Sequence, residues 1–348
     1  MTGKKLNVGI IGCGKIAQTR HIPEYAHNTH VQLEGYFDYS QERASTMAKQ
    51  YGGRAFDSIE SLLADDKIDA VSICVANESH AKLTIQALKA GKHVLCEKPM
   101  ATTLEDCEAM IDEAKKAGRK LMIDQNQRLA RAHVIAKKLL QQNTIGSVLT
   151  FKTTFGHGGP ETWSVDPGAN TWFFDKNKAK FGAIFDLGVH KLDLMLYLLD
   201  SHVTSAFSIL ATLDKRDSAG ELIGVDDNAF SIYKLNSGVL GTVAASWTYY
   251  GEEDNSTILY GTKGIMKIYD DPEYAIRVIL KNKEHIDYSL DQIQTNDQQT
   301  SSGMIDEFVD SILSKRVSIS DGETVLNAMK ATFAGIESNE KGQMIEIN

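Results

Sequence analysis

Asp186 and His190 stand four residues apart in the stretch Gly182-Ala183-Ile184-Phe185-Asp186-Leu187-Gly188-Val189-His190-Lys191. On a helix this spacing brings both side chains to one face. A carboxylate bonded to one imidazole nitrogen fixes the tautomer and raises the basicity of the other. Such a base can take the proton of an alcohol while a hydride leaves the carbinol carbon. A buried structural pair or two metal ligands fit the same spacing. His157 and Glu161 are further candidate ligands, but no HExxH-like or carboxylate-rich set accompanies them, and no metal is expected. Lys98 follows an apolar run in Cys96-Glu97-Lys98-Pro99, where its ammonium can stabilise negative charge on an alcohol oxygen.

A second group of residues suits a dinucleotide. Gly12-Cys13-Gly14-Lys15-Ile16-Ala17 follows an apolar strand pattern and opens a helical one. Gly12 permits a tight turn, Gly14 lets the backbone approach a pyrophosphate, and Ala17 allows close helix-on-strand packing. The amides of Gly12, Gly14, Lys15 and Ile16 at the helix start are expected to carry the phosphates. Asp38, about twenty residues on, ends a second apolar run and is placed to accept ribose hydroxyls. Ser40 can cap the following helix, which leaves Asp38 for the ribose. A carboxylate there repels a 2′-phosphate and favours NAD over NADP, although Arg43, one turn further, can pair with such a phosphate.

The elements that must position these residues follow from periodicity. Strands are expected at 6–11, 31–37, 70–75, 93–96 and 121–123, alternating with helices at 16–25, 41–51, 58–64, 80–89 and 103–117. That alternation predicts a doubly wound, mostly parallel α/β Rossmann domain over residues 1–123. Beyond Asp124 the pattern changes: a helix at 132–142, a strand at 148–155, an irregular stretch at 156–180 and a helix at 186–199. Strands then dominate 203–288, including a hairpin of 229–235 and 239–248 joined by Asn236-Ser237-Gly238. Closing helices are expected at 304–313 and 324–338. Residues 124–348 are therefore expected to form an α+β domain with a large open, mainly antiparallel sheet.

These motifs, in this order, make the chain resemble the glucose-fructose oxidoreductase / inositol dehydrogenase / rhizopine-catabolism (Gfo/Idh/MocA) family along its whole length. The resemblance implies that Lys98 polarises a hydroxyl, that His190 is the general acid/base and that Asp186 assists it. It implies a cis peptide before Pro99 and cofactor contacts from Ala76, Asn77, His80, Glu97, Lys98 and Gln125. Asp124-Gln125-Asn126-Gln127-Arg128 matches the family's Asn-x-Arg segment, which makes Asn126 and Arg128 candidate substrate residues; Arg128 equally suits a structural ion pair. The chain departs from the common Thr-Pro-Asn pattern at Ala76-Asn77. The open sheet is implied to pack against another subunit, giving a homodimer or homotetramer.

The substrate reading rests on the 155–174 loop. Trp163 and Trp172 can stack on the C–H faces of a sugar, while His157, Glu161 and Lys191 can bind ring hydroxyls; the aromatics equally suit core covers. A dehydrogenase of a sugar or cyclic polyol secondary hydroxyl is the main expectation. An NAD-using glycosidase of the same fold and a non-catalytic dinucleotide sensor are the alternatives.

Composition bounds these readings. The 348 residues carry 37 Lys plus Arg against 46 Asp plus Glu, a net charge of -9, without the basic cluster a nucleic-acid binder needs. The 181–199 stretch, the most apolar, contains Asp186, His190, Lys191 and Asp193, so no membrane span is expected. The lysines and short apolar run at the start do not predict a signal peptide. Cys13, Cys74, Cys96 and Cys107 form no CxxC or metal spacing and are read as reduced thiols of a cytoplasmic protein.

Overall fold

The computed structural model describes residues 5–290 and 301–347. Contacts divide the chain into two compact units. One comprises Met1–Asn126 with Thr295–Leu326, and the other Gln127–Gln294 with Asn327–Asn348.

The first unit is built on β1 (Leu6–Ile11), β2 (Val31–Phe37), β3 (Arg54–Ala55), β4 (Ala70–Ile73), β5 (His93–Cys96) and β6 (Leu121–Ile123). They pair in parallel in the order β3-β2-β1-β4-β5-β6. Val8, Ile10, Ile11, Val71, Ile73, Val94 and Leu95 are all buried, as expected for strands covered on both faces. The intervening helices are α1 (Ile22–His27), α2 (Gln41–Tyr51), α3 (Ile59–Leu63), α4 (His80–Lys89) and α5 (Leu104–Ala117). Ser40, Ser58 and Thr103 cap α2, α3 and α5 by accepting the N–H of Arg43, Ser61 and Asp106, and Gly118 closes α5 in the left-handed conformation. The helix expected at 16–25 instead opens with a π turn over Ala17–His21, in which the Ile22 N–H reaches back five residues to Ala17. Arg20 and His21, at the end of this turn, are both buried.

The second unit holds α6 (Arg131–Gln141), β7 (Val148–Gly156), the short α7 (Lys176–Ala179) and α8 (Val189–Leu199). Then come β8 (Val203–Ala211), β9 (Asn228–Leu235), β10 (Leu240–Ser246), β11 (Thr257–Gly261), β12 (Gly264–Ile268), β13 (Ile276–Leu280) and β14 (His285–Tyr288). With the terminal β15 (Ile345–Glu346), these strands form one sheet in the order β14-β13-β12-β11-β7-β10-β9-β8-β15. Its pairings are antiparallel apart from β10 with β7. The hairpin of β9 and β10 turns through Gly238 at φ 86°, where a side chain would be strained. One face of the sheet, with Phe151, Tyr233, Val243, Leu259 and Met266, packs on Ala132, Ala136, Leu192, Met195 and Ala331. The other face alternates outward and leaves Ile209, Phe230, Ile232 and Leu240 exposed.

The two closing helices are α9 (Met304–Leu313) and α10 (Gly322–Lys341). Everything beyond Asp124 reads from sequence as one domain, yet α9 belongs to the nucleotide unit. Buried Glu24 of α1 accepts the Ser302 amide at 2.8 Å and hydroxyl at 3.0 Å, and Asn28 donates to Asp306 at 2.7 Å. Ser320 donates to the Ile123 carbonyl at 2.7 Å. Such long-range polar ties leave no local periodicity to read. Among the described residues no helix is long and apolar enough to cross a membrane.

Candidate active site

The glycine turn follows β1. Gly12 has φ 93° and its amide donates to the Phe37 carbonyl at 2.8 Å; a Cβ there would run into the Cys74 carbonyl. A Cβ on Gly14 would meet no atom within 4 Å, so the backbone faces open space. Lys15 and Ile16 are half-buried, and Ala17 is fully buried. Burial pushes the Cys13 thiol between the glycines up to about 12, with Asp38 adding to the effect, which keeps it protonated and inert.

Asp38 directly follows β2, and its carboxylate ties the glycine turn to α2. Oδ2 accepts the Cys13 N–H at 2.7 Å, while Oδ1 accepts the Ser40 N–H at 2.8 Å and the Arg43 Nε–H at 3.1 Å. Arg43 Nη2 also lies 3.1 Å from Oδ1, whereas Oδ2 accepts one bond among the described residues and has a lone pair for a ribose hydroxyl. Ser40 caps α2 as expected, but Asp38 is tied to the turn rather than standing apart from it. Beside it opens a cleft of about 430 Å³, bordered by Tyr39, Ser58, Ser79, Lys82 and Gln86.

Past β4 and β5 the chain gathers buried polar groups. Ala76 is half-buried and Asn77 buried. His80 is turned inward, with Nδ1 2.7 Å from the Pro99 carbonyl and Nε2 3.1 Å from that of Val75. Burial lowers its pKa, and the neutral ring has a single N–H to donate to one of these two carbonyls. The Lys98–Pro99 peptide is cis. Glu97 Oε2 accepts the Lys98 N–H at 3.1 Å, and Oε1 faces His21 Nε2 at 2.9 Å. After β6, Gln125 is 1% exposed, and neither its amide nitrogen nor its oxygen has a hydrogen-bond partner among the described residues. Asn126 is half-buried.

In the second unit the helix bearing Asp186 and His190 also begins with a π turn, Ile184–Gly188, before α8. Asp226 holds its start, accepting the Gly182 N–H at 2.7 Å and the Ile184 N–H at 2.8 Å. Burial pushes the Asp226 carboxyl up to about 6 in spite of these bonds. Asp186 Oδ2 accepts the indole N–H of fully buried Trp247 at 3.0 Å. Arg128 makes a buried bidentate pair with Asp193, at 2.7 and 2.6 Å, which fulfils the ion-pair reading. Lys191 is wholly buried and donates to the Asn255 carbonyl and side-chain oxygen at 3.0 and 2.8 Å, instead of reaching toward a pocket. Burial pulls its pKa down to about 7.

Aromatic rings run from His190 along the loop. His190 lies 6.2 Å from Phe155, Phe155 5.8 Å from His157, and His157 6.3 Å from Trp163. Trp163 meets Phe173 edge-on at 5.2 Å, and Phe173 stacks on Trp172 at 3.9 Å. The Trp163 indole N–H is buried with no partner among the described residues. His157 accepts the Gly159 N–H at 3.0 Å, and Glu161 pairs with Lys215, which also donates to the Gly158 carbonyl at 2.6 Å. The structure thus joins His157, Trp163 and Trp172 to His190, whereas it commits Arg128, Lys191 and Glu161 to neighbouring side chains. His21, Lys215, Asp226, Trp247 and Asn255 were not expected. Only the Asp226-Asp227-Asn228 run ahead of β9 offers a sequence signal.

The nucleotide unit fits a dinucleotide by its own geometry. The Gly14 backbone is open to a phosphate, Asp38 keeps an acceptor, and the Gln125 amide is buried but unpaired. The model of the oxidoreductase family with an NAD-binding Rossmann fold matches residues 6–125, and that of the GFO/IDH/MocA C-terminal domain matches residues 133–267. The chain therefore belongs to the Gfo/Idh/MocA oxidoreductase family, and its cofactor is NAD. Levoglucosan dehydrogenase of Pseudarthrobacter phenanthrenivorans is 29% identical over 294 residues, covering 75% of this chain and 73% of that protein. D-glucoside 3-dehydrogenase of Escherichia coli is 26% identical over 360 residues, covering 100% and 99%. The solved structure of levoglucosan dehydrogenase with NADH and levoglucosan shares the fold, with a TM-score of 0.87 at 22% identity over 99% of each chain.

Proposed function

We propose that this enzyme moves a hydride between a secondary hydroxyl of a sugar or cyclic polyol and NAD. The observation that carries the reading is the continuous aromatic wall that leads from Trp172 and Trp163 to His190. Aromatic faces suit the C–H faces of a sugar ring, and the unpaired Trp163 N–H supplies a donor for a ring hydroxyl. Two relatives named for anhydrosugar and glucoside oxidation support the same substrate class.

Gly12, Gly14, Asp38 and Gln125 are assigned to hold NAD, which when bound supplies the hydride acceptor. Lys98 Nζ polarises the substrate oxygen and His190 takes its proton as general base. Asp186, anchored by Trp247, assists His190. In the reverse direction His190 returns the proton as general acid. The exposed apolar sheet face supports assembly into a homodimer or homotetramer, and the four buried free cysteines suit a reducing cytoplasm.

Replacing Lys98 or His190 by Ala should lower turnover by roughly a thousandfold, while NAD affinity measured by calorimetry stays within a few-fold. A Lys98→Ala variant with full activity on the true substrate would sink the assignment.

A further inference from the structure

We infer that His21 is a positioning residue for Lys98: through the Glu97 carboxylate it fixes the backbone from which the lysine projects. The inference rests on the proposed role of Lys98 and adds to it a residue to which the sequence gives no function.

The π turn after the glycines delivers His21 to a fully buried position. Its Nε2 lies 2.9 Å from Glu97 Oε1 and 3.2 Å from Asp124 Oδ2, so this nitrogen must carry a proton. Its Nδ1 is 3.2 Å from Ser72 Oγ, which in turn lies 2.8 Å from the Tyr25 hydroxyl. The second Glu97 oxygen accepts the Lys98 N–H. One carboxylate thus spans from the imidazole to the lysine backbone. The histidine also gathers the chain just past β5 and β6 at the sheet edge where α/β proteins bind ligands.

Charge explains why the ring is needed. Glu97 and Asp124 are both buried, and two such carboxylates side by side cannot both stay ionised without a cation. The groups facing this cluster are Arg20 on the same turn, Glu24 and Tyr25 of α1, Ser72 and Cys74 at β4, His80 of α4, and Lys98. Burial opposes charge on His21, but Cys74 and the bonds to Asp124 and Glu97 outweigh it and hold its pKa well above the usual imidazole range. Burial raises the Cys74 thiol and the Asp124 carboxyl, whereas at Glu97 the bond to His21 and the nearby cations outweigh burial and hold the carboxyl below its ordinary range. Removing the ring leaves Glu97 free to take up a proton and release the Lys98 amide.

The test uses the full chain labelled with ¹⁵N-histidine, the His21 signals being identified by their loss in His21→Gln. The expected result is an imidazolium that persists well past the ordinary histidine range. In His21→Gln, kcat should fall by about a hundredfold, as misplacement of a reacting group does. The NAD dissociation constant should remain within threefold, and a new acidic limb should enter the pH profile of kcat. Adding Asp124→Asn should restore part of the loss by relieving the repulsion. If His21→Gln does not fold, Glu97→Gln serves instead and should lower both the His21 titration and kcat. A His21 ring neutral at pH 7, stoichiometric divalent metal in the purified chain, or an unchanged kcat and pH profile would each overturn the inference. An active Lys98→Ala enzyme would remove the Lys98 reading alone, since the imidazolium signal does not depend on turnover.

Discussion

Asp38 performs two tasks with one carboxylate, bracing the glycine turn through the Cys13 amide and holding Arg43 beside the position proposed for the ribose. Replacing it by Ser should weaken NAD binding by roughly tenfold, the worth of a charge-assisted hydrogen bond. The same change frees Arg43 for a 2′-phosphate, so the NAD-to-NADP preference in kcat/KM should fall; an unaltered preference would contradict the assignment. The glycine turn at Gly12 and the place of Asp38 after β2 were legible in the sequence because both are local, a strand and then a turn; the spacing of Asp186 and His190 put them on one helical segment but did not show the π turn within it. Lys191 was not, since a charged residue in a motif reads as available, and for Arg128 the ion pair was legible but its partner was not. Only tertiary packing reveals that Asn255 and Asp193 consume them. His21 was hidden for a related reason, as its partners lie at positions 97 and 124, far along the chain.

At the scale of elements, the parallel strands, most helices and the β9–β10 hairpin follow from periodicity and turn residues. The two π turns do not, because a single extra residue barely disturbs the spacing of apolar side chains. Each nevertheless opens a helical segment that the proposed function uses. The turn at 184–188 depends on Asp226, whose folded pKa of about 6 lies above its ordinary value of 3.8. A raised carboxyl pKa means that the folded state binds the proton more tightly, so its contribution to stability is full below about pH 4 and lost as pH rises through about 6. Asp226→Asn, which cannot accept both amides, should cost about 1–3 kcal/mol. That penalty should be largest near pH 4 and shrink by pH 7 in urea unfolding; a penalty that grows with pH would refute the cap's role.

For the whole molecule, the exposed row of Ile209, Phe230, Ile232 and Leu240 is the feature most in need of a partner. Ile209 is registered opposite Phe230, and Phe230 and Ile232 are 49% and 50% exposed, so the side chains form one apolar band. A Phe230→Glu, Ile232→Glu double variant should sediment as a smaller species with unchanged circular dichroism; retention of the wild-type assembly would place the interface elsewhere. The sequence alternation announced this open sheet, but the return of α9 to the nucleotide unit depends on buried Glu24 and had no local signal. The central claim, hydride transfer from a sugar-like hydroxyl, is tested most directly by incubating the protein and NAD with inositols, free hexoses, glycosides and anhydrosugars, and following NADH absorbance. Stoichiometric NADH and a ketone are expected from at least one cyclic secondary alcohol, with loss of both in His190→Ala. Release of an aglycone from a glycoside without net NADH, or no NADH with any of them, would contradict it.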